Sequence, residues 1–157
     1  MDPERAPVSV VVDVANVMGA RADGWWRDRA GAALRLCQEI AALADRGIDL
    51  ADLPADVAAD LPGGLAGGSA GPVRPVFTVV LEGRSRAAAD RLEPGARRLL
   101  RVIEAPGSGD DSVVAAVLSV VSSGTPCLVV TADRELRRRC AAGGGKIAGP
   151  GWLLHLL

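Results

Sequence analysis

Aromatic side chains are scarce: Phe, Trp and Tyr make up 3% of the 157 residues, as three Trp, one Phe and no Tyr. A core built by stacking large rings is thereby excluded. The 49% apolar share falls mainly to Ala, Val and Leu, side chains that suit helices packed on a sheet. Histidine occurs once, as His155, too near the end of the sequence to serve as a general base. Cys37, Cys127 and Cys140 are an odd, widely spaced set inside apolar segments; this excludes a zinc framework and leaves reduced, buried thiols. No apolar run reaches membrane-spanning length, and Met1-Asp-Pro-Glu-Arg5 lacks the basic start and apolar centre of a signal peptide, so the expectation is a cytoplasmic protein with no membrane partner. A formal net charge of -1 gives no overall pull toward nucleic acid or anionic lipid; only a local basic patch could supply one. The glycine signals fail as well. Gly143-Gly-Gly-Lys146 leads into a strand instead of opening a helix, so it is not a phosphate loop, and Gly107-Ser-Gly109 lacks the rest of a dinucleotide fingerprint. No internal repeat is visible.

The sequence does hold short β-branched runs alternating with helical spacing. Val8-Ser-Val-Val-Val-Asp-Val-Ala-Asn16, entered from Pro7, reads as a strand buried on both faces of a parallel sheet, with Asp13 where it runs out. Further strands are expected at Val76 to Glu82, Leu99 to Ala105, Cys127 to Thr131 and Lys146 to Ala148. A connection from Met18 to Asp23 leads through Gly24-Trp-Trp-Arg-Asp-Arg29 to an amphipathic helix. Its apolar positions are Ala30, Ala33, Leu34, Cys37, Ile40, Ala41 and Ala44, and Gly47 stops it. Ser85 to Leu92 reads as a short helix. Asp110 opens another, which carries Val113, Val114, Val117, Val120 and Val121 inward and stops at Gly124. A helix from Asp133 to Cys140 sets Arg134, Arg137, Arg138 and Arg139 mostly on its wet side, and Trp152-Leu-Leu154 packs last. Residues 48–75 are rich in Asp, Ala, Pro and Gly, including Pro62-Gly-Gly-Leu-Ala-Gly-Gly68. They read as a flexible surface excursion with at most one short helix near Ala55 to Ala59. The alternation predicts one α/β domain over 1–157, a three-layer α/β/α sandwich around a mainly parallel five-stranded sheet.

A carboxylate at the edge of a buried strand needs a partner, because desolvation disfavours its charge. In open α/β sheets ligands sit at the carboxyl ends of the strands. At that same edge Asp110 and Asp111 open the helix after the third strand, and Asp133 follows the fourth. Acids converging there repel one another, and a divalent ion with oxygen ligands resolves the repulsion. Mg2+ or Mn2+ is expected, lowering the pKa of a bound water and neutralising charge on a phosphate. Each acid also has a structural explanation. Asp110 and Asp111 complement a helix N-terminus, Asp133 caps one, and Asp13 anchors a loop through backbone amides. Asn16 either caps a turn or holds Asp13, Glu82 either joins the cleft from the side or faces solvent, and Glu39 sits on the outer face of the first long helix. Arg27 and Arg29 follow Trp25-Trp26, and Arg84 and Arg86 follow the second strand, so both groups are expected substrate contacts. Guanidinium groups grip phosphates and an exposed Trp offers a stacking face; solvated arginines and a Trp packed under a loop are the plainer alternatives.

The succession strand-Asp13-x-x-Asn16, Gly109-Asp-Asp111-Ser-Val-Val114 and Thr131-Ala-Asp133-Arg-Glu-Leu136 resembles the PIN-like nuclease superfamily, most closely its NYN-type domains. The resemblance spans most of the chain outside 48–75. It implies a Rossmann-like sheet in the order 3-2-1-4-5 and an Mg2+- or Mn2+-dependent ribonuclease acting on single-stranded or structured RNA. By position it implies Asp13, Asp111 and Asp133 as metal ligands, Asp110 assisting, Thr131 steadying Asp133, and Asn16 in support. Many PIN domains carry a further acid on an early helix, for which Glu39 is a loose match. A homodimer or a regulatory protein partner is a further expectation from the resemblance. Two other readings stay open: a hydrolase of nucleotides or small phosphoesters using the same cleft, and an inactive RNA-binding or scaffold protein.

Overall fold

The first strand, β1 (Ser9–Asp13), is buried along its whole length and pairs in parallel on both sides, with β2 (Val76–Leu81) and β4 (Cys127–Val130). A strand so enclosed needs apolar side chains on both faces, which is why it reads as a continuous valine run. The protein structure is a computed structural model describing residues 7–62 and 71–157. β3 (Leu100–Glu104) and β5 (Lys146–Ala148) complete the sheet in the order β3-β2-β1-β4-β5, with every pairing parallel. This is the expected order. Arg101 and Glu104 are exposed on the β3 edge, where charge discourages further strand pairing.

Successive residues of β1 point to opposite faces of the sheet. Val10 and Val12 join Phe77, Val79, Leu128 and Val130 in the larger core, under α1 (Val14–Gly19) and α2 (Arg29–Arg46). Val11 joins Val80 and Val129 in a smaller core, under α6 (Gly109–Ser122) and α7 (Arg134–Ala142). Asp13, two residues beyond Val11, belongs to this second face. The long helix α2 begins where the Asp28 carboxylate accepts the Gly31 amide at 2.9 Å. It ends at Gly47, whose φ of 83° and a would-be Cβ only 2.8 Å from Pro72 both require glycine. Cys37, Cys127 and Cys140 are free and buried, as expected. Among the described residues no helix is long and apolar enough to cross a membrane.

Several elements differ from the sequence expectation. The stretch following Asp13 is already helical, as α1, so Asn16 sits on a helix and not in a turn. Ser85 to Leu92 divides into a 3-10 turn (Gly83–Ala87) and α4 (Ala88–Arg91), and a further helix, α5 (Pro94–Leu99), precedes β3. The larger correction concerns 48–75. The expected short helix is present as α3 (Ala55–Ala59), but its surroundings are not a free excursion. Leu53, Val57, Leu61 and Val73 are buried in the larger core. Ile48 and Val73 exchange backbone hydrogen bonds of 2.8 Å each. Trp152, in the last helix α8 (Pro150–Leu156), donates its indole N–H to the Asp52 carbonyl at 2.8 Å. The apolar positions 53, 57 and 61 already have helical spacing, which the polar composition around them obscured. The flexible reading of the glycines within 63–70 lies outside the described residues.

Candidate active site

Asp13 ends β1 with 7% of its surface exposed. Its Oδ2 accepts the Thr131 hydroxyl at 3.0 Å, and that hydroxyl in turn accepts the Asp133 amide at 3.2 Å. Accepting that N–H through one lone pair leaves the Thr131 hydroxyl proton free for Asp13. Thr131 thus steadies both acids, where the sequence suggested only Asp133. Arg137 holds Thr131 from the other side, donating Nε–H to its carbonyl at 2.7 Å; sequence reasoning left this arginine in solvent. The available signal was its position one helical turn after Asp133. Asn16 accepts the Ala132 amide at 2.7 Å, which ties α1 to the loop after β4.

Burial is the largest influence on Asp13 and pushes its carboxyl up to about 6. Hydrogen bonds from Thr131 and the Asn16 backbone pull the other way, while the negative charges of Glu82 and Asp110 push it further up. Asp110 is likewise raised, by burial first and then by Asp133 and Glu82. Glu82 and Asp110 thus bear on Asp13, and Asp133 and Glu82 on Asp110, at this sheet edge. Glu82 takes the inward of its two expected roles: its Oε2 accepts the Gly109 amide at 2.5 Å, fixing the first turn of α6 to the end of β2. A Cβ on Gly109 would lie 3.1 Å from that oxygen, so a side chain there would crowd the contact.

The structure places Asp110 and Asp111 differently. Adjacent helical residues point about 100° apart, and the outward one, Asp111, pairs with Arg139 of α7 at 2.8 Å with its side chain 85% exposed. Asp110 is the member brought toward Asp13. Asp133 also serves as the cap of α7, its Oδ1 accepting the Leu136 amide at 2.9 Å. Glu39 is paired with Arg21. Among the described residues, no three acids, histidines or cysteines stand close enough to form a ready metal cage. Arg29 lies over the Trp25 ring at 5.5 Å and Arg27 over Trp26 at 5.8 Å. Arg84 and Arg86 are exposed on the turn after Glu82.

No family model matches the chain, and no curated protein matches it. Among solved structures it is similar to the crystal structure of a mutant form of Rae1 (YacP) from Bacillus subtilis. The TM-score is 0.58 at 14% identity, over 94% of this chain and 72% of that one. The likeness is one of fold.

Proposed function

We propose that this protein is a divalent-metal-dependent nuclease hydrolysing phosphodiester bonds in RNA, with Mg2+ or Mn2+ as its ion. The observation that carries the reading is Asp13, a carboxylate buried at a strand end and pushed up to about 6 in the company of Glu82 and Asp110. A cation among these oxygens would relieve both the burial and the repulsion. The donors fit such an ion: they are hard carboxylate oxygens, and the three thiols are buried. Mg2+ keeps most of its waters and takes one or two carboxylates, so a dry cage of three ligands is not required. Asp13 and Asp110 would hold it, with Asp133 and Glu82 around them. When bound, such an ion supplies an activated water and neutralises charge growing on the phosphate.

The remaining work falls to the chain. Thr131 fixes the Asp13 carboxylate, Glu82 fixes the first turn of α6 and so aims Asp110, and Arg139 draws Asp111 outward. α6 and α7 both begin at this edge, and their positive ends favour an anionic group there. Arg27, Arg29, Arg84 and Arg86 would take substrate phosphates. RNA as the substrate follows from the resemblance of the motif set, and the fold shared with Rae1 agrees at the level of architecture. The test is cleavage of labelled single-stranded RNA and DNA with and without Mn2+, by the wild type and by Asp13→Asn. RNA cleavage that needs Mn2+ and falls about a hundredfold or more in the variant is expected; equal activity in both proteins ends the reading.

A further inference from the structure

Beside the acidic edge lies an open groove of about 360 Å³, lined by Ala15, Met18, Trp25, Arg29, Glu82 and Gly107 among others. One wall is apolar. Another carries the Arg29 guanidinium, held over the Trp25 ring at 5.5 Å. Among the described residues Arg29 makes no ion pair within 4.0 Å. A guanidinium preset by an aromatic face, with no carboxylate to neutralise it, is an anion contact in waiting. Trp26, edge-on to Trp25 at 6.0 Å and 57% exposed, carries the aromatic surface outward. The volume is at the low end for small-ligand sites, roughly 300 to 1,000 Å³, so it suits one flat ring and its attached phosphate. Glu82 belongs both to this groove and to the cluster around Asp13, so whatever fills the groove is a neighbour of whatever reacts at the acids.

We propose that the groove seats one unpaired nucleotide, its base against the Met18 and Trp25 wall and its phosphate on Arg29. A bound strand is then single-stranded at this point. The inference rests on the nuclease reading for what lies next to the groove, and not for the occupancy itself. Gly107 gives a clean test, because a Cβ there meets no atom within 4 Å. Gly107→Leu should fill the groove without disturbing the fold.

The probes are a fluorescent single-stranded hexaribonucleotide and the same sequence closed into a duplex stem, titrated by anisotropy in the Asp13→Asn background to prevent cleavage. The single strand is expected to bind about tenfold more tightly than the stem, as one to two kcal/mol of base stacking would give. Gly107→Leu and Arg29→Gln should each weaken single-strand binding by a similar factor, with an unchanged melting temperature. Equal affinity for strand and stem, or parental affinity in Gly107→Leu, overturns the groove. If RNA is cut by the wild type while Gly107→Leu still binds at parental strength, the groove falls and the nuclease reading stands. Groove-dependent binding with no cleavage by the wild type leaves the groove standing and removes the nuclease.

Discussion

An acid with little water around it makes folding depend on its proton, and Asp13 sets the direction here. Its pKa is about 6 in the folded chain against an ordinary value of 3.8, so the folded state holds the proton more tightly than the unfolded one. The associated stability is fully present below the unfolded value and is lost as pH rises through about 6. At pH 8 the ionised form is therefore disfavoured by up to about 3 kcal/mol. Asp13→Asn keeps an oxygen for the Thr131 hydroxyl and removes the charge. The variant is expected to melt several degrees above the wild type at pH 8, with the gap closing near pH 4. A variant that melts lower at pH 8 would refute the burial argument. The adjacent pair permits a second comparison. Asp110→Asn should lower Mn2+-dependent cleavage by about 10- to 100-fold, whereas Asp111→Asn should change it little, because that side chain faces Arg139 and solvent. The opposite ranking would return Asp111 to the site. No sequence pattern could separate the two: both suit a helix N-terminus, and only the position of Arg139 on another helix turns one of them away.

At the scale of elements, the site depends on how α6 is fastened to β2. One carboxylate oxygen of Glu82 accepts the Gly109 amide at 2.5 Å, while the Glu82 backbone and the Ser85 hydroxyl bond each other at 3.3 and 2.6 Å. Removing the acid should leave that amide short of a charged acceptor, and Gly109→Ala should push the same oxygen away with its Cβ. Each change is expected to lose about 1 to 2 kcal/mol. Because both break one contact, the double variant Glu82→Ala/Gly109→Ala should lose little more than either alone in urea unfolding. Full additivity would show that the two residues act separately. The strands around this fastening were legible because a buried parallel strand leaves a β-branched run in the sequence, as at Val10 to Val12 and Val76 to Leu81. Two of the short helices were not. α1 carries Val14 and Val17, which read as a continuation of β1, and α5 shows Arg97 and Arg98 where an apolar stripe would have marked it. Their helicity is imposed by packing and connection length more than by propensity.

Across the whole molecule the two cores are unequal, and the larger one draws on a segment whose composition suggested otherwise. The parallel sheet, and the place of each acid just after its strand, were legible in the alternation of elements, while the strand order came with the resemblance of the motif set. The packing of residues 48–61 was not, because sparse apolar positions among Asp, Ala and Pro carry too weak a periodic signal against a loop-like background. In the structure Leu53 is 5% and Val57 0% exposed within the larger core, and the Trp152 indole reaches the Asp52 carbonyl at 2.8 Å. The segment thereby connects the helical layer over β1 to the last helix of the chain. Truncating Leu53 to alanine removes buried methyl groups at a site pinned on both sides, so little collapse can compensate. Leu53→Ala is expected to lower the unfolding free energy by about 2 to 4 kcal/mol with an unchanged denaturant slope. A free surface excursion would lose well under about 1 kcal/mol by the same substitution. Urea melts of Leu53→Ala beside the exposed control Asp56→Ala separate the cases, and parallel loss in Val57→Ala would show that the segment unfolds with the sheet and not before it.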